Sequence, residues 1–311
     1  MLSAVAMVVL LVAVPGGERS ARRGTKWLSV CTGNTTGVYY ILGGGLAQRV
    51  PRHMRGYRAT AEPTSASVEN LQRVVRQDCD IAFTLADSAA DAVAAGQPVA
   101  ALARLYPNYT QVLARRSARV NRIADLRGKR VSTGSPNSGT EVIALRLLEA
   151  AGLHPDRDVG RQALSLPESV QGMKDGTIDA LVWSGGLSTP GIRDLLTSLK
   201  SKVQFVALDD LTAPLQRDHG PIYVDAEIPA DKGNGQPRPT STIAVPNLLV
   251  VNAGMGEQLA YDLTRVLFEQ KDDLGDNVHP AAKRIPAPME QRTDPVPLHP
   301  GAERYFREAT R

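Results

Sequence analysis

The chain has 311 residues, of which 42% are hydrophobic, enough to fill the cores of two ordinary domains and to exclude a disordered chain. Lys and Arg together number 36 against 32 Asp and Glu, and no stretch gathers this small basic excess beside aromatic residues. The composition therefore gives no indication of a nucleic-acid partner, whereas the mild positive balance suits a small anionic ligand.

The first segment in chain order is apolar. Leu2–Val14 contains no charged residue, is shorter than the roughly 20 residues of a membrane-spanning helix, and has the length of a signal-peptide core. We therefore predict that residues 1–24 are a signal peptide, or an N-terminal anchor if they stay uncleaved. The predicted location is extracytoplasmic, either periplasmic or at the cell surface.

Strand-like segments then alternate with amphipathic helical ones. "KWLSV" (26–30) precedes a helix near 38–50, "YRATA" (57–61) precedes a helix near 68–77, and "DIAFT" (80–84) follows. This order is typical of βαβ units and parallel sheets. The predicted fold class is α/β.

Cys31 and Cys79 are the two cysteines of the sequence. Export would permit a disulfide between them, but Cys31 closes the first predicted strand and Cys79 precedes the third. On neighbouring parallel strands these positions lie near opposite ends, beyond the ~7 Å between Cα atoms that a disulfide spans. We therefore predict two free thiols.

The first unit recurs in the middle of the chain. Three pairs of segments match in the same order: "VCTGNTTG" at Val30 with "VSTGSPNSGT" at Val131, "SVENL" at Ser67 with "SVQGM" at Ser169, and "DIA" at Asp80 with "IDA" ending at Ala180. Matches in order and at nearly constant spacing predict two similar lobes.

Two long apolar segments, 101–116 and 241–252, are predicted to be buried strands that join these lobes. We expect a ligand cleft between the lobes and bending near Tyr106 and Thr242. The predicted division is lobe 1 at 25–108, lobe 2 at 109–240, and a return to lobe 1 with C-terminal helices at 241–311.

Ser, Thr and Gly residues mark the starts of three predicted helices, where unpaired backbone N–H groups and the helix dipole favour an anion. Thr35 or Thr36 is expected to cap the first helix and Ser67 the second. The same place in lobe 2 is taken by Ser138, Gly139 and Thr140. Such residues are also ordinary helix caps, so the binding interpretation depends on three turns meeting at strand C-termini.

Aromatic residues accompany these turns. Tyr39 and Tyr40 are adjacent on a helix and point about 100° apart, so we expect one to pack in the core and the other to overhang the cleft. Trp183 ends a lobe 2 strand at the predicted rim. Each of these rings is equally compatible with a purely structural role.

Catalytic motifs are absent from the sequence. It contains no Gly-x-Ser-x-Gly elbow, Walker loop, His-Glu-x-x-His or paired cysteine motif. The histidines are scattered, and His299 lies between prolines in a setting typical of a packed corner. We therefore predict a protein that is not an enzyme, with no catalytic residues, no bound metal and no cofactor.

Several quoted segments together resemble one family. "TGNTTGVYYILGGGLA", "TSASVENL", "CDIAFTLAD", "LARLYP", "DLRGKRVSTGSPNSGTE", "WSGGLSTPGI" and "PLHPGAERYFRE" resemble the solute-binding subunits of TAXI-type TRAP transporters. The resemblance covers about residues 28–308. It implies a two-lobed periplasmic-binding-protein fold of type II topology that closes on a small carboxylate, such as glutamate or a related dicarboxylate, and delivers it to a membrane permease.

The resemblance also implies a set of ligand-binding residues at the helix starts and strand ends of both lobes. These are Thr32, Gly33, Asn34, Tyr39, Ser67, Asn70, Leu85, Asp87, Ser138, Gly139, Thr140, Trp183, Gly185 and Gly186. One departure is chemical: Leu85-Ala86-Asp87 replaces the Gln-Ser-Asp usual in the family. An unpaired buried polar group costs about 1–3 kcal/mol, so we expect a ligand more apolar than glutamate.

Two alternatives remain open. The closed protein could signal to a two-component sensor kinase instead of feeding a permease. Less favoured is an enzyme like the pyrimidine synthases of thiamine biosynthesis, whose His-rich and Cys-rich iron-binding motifs this sequence lacks.

Overall fold

A computed structural model describes residues 24–187, 189–231, 236 and 238–311. Its strands are β1 Lys26–Cys31, β2 Tyr57–Glu62, β3 Ile81–Leu85, β4 Val99–Arg115, β5 Arg130–Ser132, β6 Gly160–Gln162, β7 Ala180–Gly185, β8 Val203–Phe205, β9 Val224–Ile228 and β10 Thr240–Asn252. Its α-helices are α1 Val38–His53, α2 Ser67–Val75, α3 Ala86–Ala94, α4 Gly139–Ala150, α5 Leu166–Asp175, α6 Pro190–Leu199, α7 Thr212–His219, α8 Glu257–Glu269, α9 Lys271–Asn277 and α10 Pro300–Ala309. The alternation confirms the predicted α/β class.

The predicted signal segment, apart from its last residue, lies outside the described residues. Among the residues that the model describes, no helix is both long enough and apolar enough to cross a membrane.

The described strands form one mixed sheet in the order β2-β1-β3-β10-β4-β7-β5-β6, with β8 beside β4 and β9 beside β10. β1, β2 and β3 pair in parallel, and so do β5, β6 and β7. β10 and β4 are antiparallel to their neighbours and lie between these two groups. Below, lobe 1 means β1–β3 with α1–α3, and lobe 2 means β5–β7 with α4–α6.

The internal repeat is present in the register of the two parallel groups. Val30 pairs with Ile81 in lobe 1, and Val131 pairs with Ala180 in lobe 2. The repeated aspartates make the same contact: the Ser29 N–H donates to the Asp80 carboxylate at 2.8 Å, and the Arg130 N–H donates to Asp179 at 2.9 Å. In both copies of the βαβαβ unit, an aspartate thus accepts a backbone N–H from the neighbouring strand.

β4 and β10 are the two segments predicted to join the lobes, and both are almost continuously buried. The first half of β4 pairs with β10 and its second half with β7, so this one strand belongs to both halves of the sheet. Pro107 of β4 faces Pro246 of β10 where the two strands cross from one half to the other. The predicted lobe boundaries, after residues 108 and 240, fall within and at the start of these strands.

The chain ends on lobe 1. α8 packs on α10 so closely that a Cβ atom at Gly301 would lie 2.2 Å from the carbonyl oxygen of Glu257. His299 is the N-cap of α10, where its Nδ1 accepts the Gly301 N–H, and its Nε2 lies 2.9 Å from the Met255 carbonyl oxygen. This agrees with the packed corner expected from the sequence.

The prediction of free thiols is wrong: Cys31 and Cys79 form a disulfide, with 6.2 Å between their Cα atoms. β3 begins only at Ile81, so Cys79 belongs to the turn after α2 and not to an extended strand. That turn contains Gln77 with a positive φ of 61°, and it folds across β1. The prediction from sequence assumed an extended strand before residue 81, and this assumption put Cys79 too far from Cys31 for a disulfide.

Candidate functional site

A partly open cavity of about 60 Å³ lies between the lobes. Lobe 1 and β4 line it with Gly33, Asn34, Gly37, Val38, Tyr39, Thr64, Ser65, Ala66, Ser67, Leu85, Tyr106 and Asn108. Lobe 2 lines it with Gly134, Ser135, Ser138, Gly139, Thr140, Leu164, Leu166, Ser169, Val182, Trp183, Ser184, Gly185 and Gly186. The carboxyl ends of the parallel strands of both lobes therefore meet at one site.

The start of α1 forms one wall. Asn34 closes the preceding loop, because its Oδ1 accepts the Thr36 N–H at 2.9 Å and the Thr36 hydroxyl at 2.7 Å. The N-cap is Gly37, which has no side chain to bond the first turn. The expectation that Thr35 or Thr36 caps this helix is therefore wrong, since the Thr36 hydroxyl is held by Asn34. α1 therefore starts at the cavity wall with no side chain capping its first N–H groups.

The start of α2 is already engaged by protein groups. The Glu69 carboxylate accepts the Ser65 N–H at 2.7 Å, and the Glu69 N–H donates to the Asn137 carbonyl of the other lobe at 3.1 Å. Ser67 is the first helical residue and not the cap: its Oγ accepts the Leu85 N–H at 3.0 Å. α2 therefore contributes surface to the cavity but not a free helix mouth.

The start of α4 forms the facing wall. Ser138 is its N-cap and accepts the Glu141 N–H at 3.0 Å. Gly134 has a φ of +94°, and a Cβ atom there would lie 2.7 Å from the Thr140 side chain, so this turn requires glycine. At Gly139 a Cβ atom would lie 2.5 Å from the Ser67 hydroxyl and 2.6 Å from the Leu85 side chain. The two lobes are therefore in contact across the cleft.

Trp183 and the loop after β7 make the apolar side of the cavity. The indole N–H of Trp183 donates to the Thr189 hydroxyl at 3.2 Å, and that hydroxyl donates to the Gly186 carbonyl at 2.8 Å. A Cβ atom at Gly185 would lie 2.2 Å from the indole nitrogen. The indole is thus held against its own loop by one hydrogen bond to Thr189 and by close packing on Gly185.

Two tyrosines meet at the base of the cavity. The Tyr39 hydroxyl donates to Asn247 Oδ1 at 2.5 Å, and Asn247 Nδ2 donates to the Tyr106 carbonyl at 2.8 Å. The Tyr106 ring is 2% exposed, and its hydroxyl has no hydrogen-bond partner among the described residues. Burial is the main cause that raises the pKa of both phenols above the ordinary value. Both hydroxyls are therefore neutral donors at physiological pH. Of the adjacent pair, Tyr39 is the one that faces the cleft, while Tyr40 does not line the cavity.

Most of the sequence-predicted site residues line the cavity, but Thr32, Asn70 and Asp87 do not. The Thr32 hydroxyl donates to the Glu62 carbonyl at 2.6 Å, and Asn70 Nδ2 donates to the Thr32 carbonyl at 2.7 Å. These two side chains stabilise the loop that follows β1 without lining the cavity. Ala86, singled out together with Leu85, is buried outside the lining.

Asp87 instead joins the lobes. Its fully buried carboxylate accepts the Tyr223 hydroxyl at 2.8 Å and lies 3.5 Å from Arg146 of α4. Arg146 also donates to Tyr223 at 2.8 Å and to Asp91 at 2.6 Å. Burial raises the pKa of Asp87, while the Arg146 charge and the Tyr223 hydroxyl oppose that shift. Asp87 thus belongs to an interlobe polar cluster and not to the cavity wall.

Asn108 and Asn247 are site residues that sequence reasoning missed. Asn108 Nδ2 donates to the Ser184 hydroxyl at 2.7 Å and links β4 to lobe 2, whereas Asn247 holds Tyr39. Each follows a proline in the middle of an apolar strand, at Pro107 and Pro246. A Pro-Asn step inside an otherwise apolar segment is the signal that could have identified both.

The cavity wall carries hydroxyl, amide and backbone groups and apolar side chains, and none of the lining residues that the structure describes is Asp, Glu, Lys, Arg or His. No group of His, Cys, Asp and Glu side chains within the described residues could hold a metal ion. The arrangement is suited to hold a small molecule by helix N–H groups, hydroxyls and apolar contact.

Solved structures share this architecture at low sequence identity. A protein from Prochlorococcus marinus (MIT 9301), in complex with methylphosphonate, is 13% identical with a TM-score of 0.56, over 84% of this chain and 89% of that one. A Xanthomonas citri protein bound to ATP is 17% identical with a TM-score of 0.54, over 92% and 96% of the two chains. A binding-protein component of an ABC phosphonate transporter from Pseudomonas aeruginosa is 11% identical with a TM-score of 0.52, over 84% and 80%.

These similarities establish the two-lobed fold of periplasmic binding proteins, as predicted from the sequence, and at such identities they establish the fold alone. The TAXI subtype implied by the sequence resemblance stays a prediction. A family model matches residues 30–309, nearly all of the described chain, and the protein therefore belongs to the NMT1-like family.

Proposed function

We propose that this protein is an extracytoplasmic solute-binding protein that captures a small carboxylate by lobe closure and delivers it to the membrane subunits of a TRAP-type (TAXI) transporter. The observation that carries the proposal is the cavity between the lobes, to which both lobes contribute a helix start, α1 from lobe 1 and α4 from lobe 2. A ligand held by both helices stabilises the closed arrangement over an open one, because only closure brings its two sets of donors together.

The chemistry of the wall supports binding of an anion without catalysis. Helix N-termini stabilise negative charge through their N–H groups and dipoles. The described residues of the lining include no carboxylate, imidazole, amine or cysteine thiol that could attack or deprotonate a bound molecule. Capture and release is the activity that such a wall supports best.

Delivery to a transporter is preferred to signalling through a sensor kinase. One protein of the same fold is a component of an ABC transporter. In this proposal lobe 1 (25–108, with the return at 241–311) and lobe 2 (109–240) move relative to each other when a ligand binds. The protein acts after export from the cytoplasm.

Thermal unfolding in the presence of small carboxylates tests the proposal. A ligand at a hundredfold excess over its Kd should stabilise the protein by about 2.7 kcal/mol. Gly139→Ala should weaken that response, because the new methyl group would collide with Ser67 and Leu85 when the lobes close.

Gly44→Ala is the matched control, since a Cβ atom at this position in α1 meets no other atom within 4 Å. It should leave the ligand response unchanged. A broad set of amino acids, monocarboxylates, dicarboxylates and oxo-acids that produced no stabilisation at all would contradict the proposed function.

A further inference from the structure

The cavity provides for one negative charge. None of its described lining residues is cationic, so the helix starts are the positive groups in its wall. At the starts of α2, α4 and α5 a glutamate carboxylate already accepts a backbone N–H. Only α1, among the helices that start at this wall, has neither a capping side chain nor an acidic residue in its first turn. Because a helix start carries about half a positive charge, the wall can balance one carboxylate at most.

A second carboxylate would therefore be buried without a counter-charge, which is strongly unfavourable. The remaining surface is suited to an apolar group. Leu85 of lobe 1 faces Leu164, Leu166, Val182 and Trp183 of lobe 2 around the same space. The volume of about 60 Å³ has room for about four to six water-sized spheres, which suits an apolar part of a few carbon atoms.

The Tyr106 hydroxyl adds a specific donor. Within the described part of the chain, the buried side-chain polar atoms without a partner are Tyr106 Oη, Thr110 Oγ1 and Gln111 Nε2, and of these residues only Tyr106 lines this cavity. Buried polar groups are nearly always satisfied in native proteins. Tyr106 lines the cleft, and its buried hydroxyl, which has no partner among the described residues, would be satisfied by a ligand acceptor.

We infer that the cleft selects a short monocarboxylate with an apolar tail over dicarboxylates, and that the Tyr106 hydroxyl donates a specificity-determining hydrogen bond to the ligand carboxylate. This inference depends on the proposed function, because it names the class of solute for the same cleft. It assigns a ligand-contact role to a residue whose sequence position had suggested only a hinge.

Titration calorimetry with three four-carbon probes tests the ligand class. Butyrate should bind, while succinate, which adds a second charge, and butyramide, which has none, should each bind at least about tenfold more weakly. Succinate or glutamate binding as tightly as butyrate would overturn the inference and leave the proposed function intact. Failure of every carboxylate to bind would overturn both.

Tyr106→Phe tests the specific contact. The variant should bind butyrate about tenfold or more weakly, because a hydrogen bond to a charged acceptor is lost. Its stability without ligand should be unchanged or higher, since the removed hydroxyl bonds no described protein atom. A merely structural role would lower stability and leave affinity unchanged, which would contradict the assignment.

Tyr109→Phe is the matched control. Tyr109 lies on the same strand, is 6% exposed, and does not line the cavity; its ring lies 5.3 Å from the Arg284 guanidinium. This variant should bind butyrate like the unmodified protein. Equal losses of affinity in both variants would show a general effect on β4 and would overturn the role given to the Tyr106 hydroxyl.

Discussion

The two lobes have the same framework but differ at the positions that face the cleft. In both, the first loop is fixed to the second strand of its unit: the Thr32 N–H donates to the Glu62 carbonyl at 3.0 Å, and the Thr133 N–H donates to the Gln162 carbonyl at 2.9 Å. The helix that follows begins at uncapped Gly37 in lobe 1 and at self-capped Ser138 in lobe 2. The repeat thus conserves what builds the sheet, while the helix mouths differ in how many donors they leave for a ligand.

The lobes also differ in how the end of the first strand is secured. In lobe 1, Cys31 is joined to Cys79 by the disulfide. At the equivalent position of lobe 2, the Ser132 hydroxyl lies 2.6 Å from the Ser169 hydroxyl. A covalent bond in one lobe corresponds to a single hydrogen bond in the other, so the lobes should respond differently to reduction and to substitution.

Removing the disulfide should have the largest effect. Replacing both cysteines by serine, or reducing the bond, removes a cross-link between residues separated by 48 positions, and loop entropy alone then predicts a loss of about 4 kcal/mol. Urea unfolding of the Cys31→Ser, Cys79→Ser variant measures this loss, and adding reductant to the variant should change nothing further. An unchanged midpoint would show that lobe 1 does not depend on its covalent bond.

Arg146→Met should have the next largest effect, because it removes the cation that joins lobe 2 to buried Asp87. We expect a loss of about 3 kcal/mol at neutral pH, at the lower end for removing one partner of a buried ion pair, because Arg146 is partly exposed. Burial already raises the pKa of Asp87, and Arg146 opposes this, so the variant raises that pKa further.

The folded variant should therefore bind a proton more tightly than the unfolded chain does, and the loss should shrink as the pH falls through the folded pKa of Asp87. Urea unfolding at neutral and mildly acidic pH measures this. Arg217→Met, which breaks an exposed pair with Asp218, is the control and should cost almost nothing. An equal loss at both pH values would contradict the role of the Asp87 charge.

Loss of the aspartate hydrogen bond that both lobes share should destabilise the protein by about the same amount in either lobe. Asp179→Asn and Asp80→Asn each weaken a charged acceptor for a strand N–H, and we expect a loss of about 1 kcal/mol from either. Hydrogen bonds from Arg130 lower the pKa of Asp179, so its contribution is complete above the unfolded pKa and is lost as the pH falls through the folded one. Urea unfolding at neutral and acidic pH checks this. If the loss of stability in Asp179→Asn persisted in acid, the ionised carboxylate would not be the source of the stabilisation.

Ser132→Ala should have the smallest effect, about 0.5–1 kcal/mol. Its partner Ser169 keeps a second hydrogen bond, to the Ser165 carbonyl at 2.8 Å, so no hydroxyl is left unpaired. Urea unfolding should show a midpoint shift much smaller than that from loss of the disulfide. A shift of similar size would remove the contrast between the two lobes.

Periodicity and repetition made the framework predictable from sequence. The alternation of apolar segments gave the α/β class, and Asp80 and Asp179 marked equivalent positions. These features depend on local pattern, because each strand or helix must present an apolar face of fixed period to its neighbours.

Details that depend on how the chain turns in space were not predictable in the same way. Cys79 joins Cys31 because the turn after α2 crosses β1, and Asp87 faces Arg146 because α3 and α4 meet across the lobes. Thr36 is held by Asn34 and so does not cap α1. In each case the residue was identified from the sequence but its partner was not. The partners of Cys79 and Asp87 are remote in sequence. For Thr36, the Asn34 side chain binds the hydroxyl that would otherwise cap the helix.

Pro107 and Pro246, facing each other across β4 and β10, have a mechanical consequence. Proline has no N–H, so this position contributes no donor to the ladder of hydrogen bonds, and the register shifts directly after it, between Pro246 and Leu248. We therefore expect the strands that join the lobes to bend most easily at this point. If opening is concentrated there, the paired segments on either side move as stiff arms, and each lobe keeps the shape of its own part of the wall as the lobes separate.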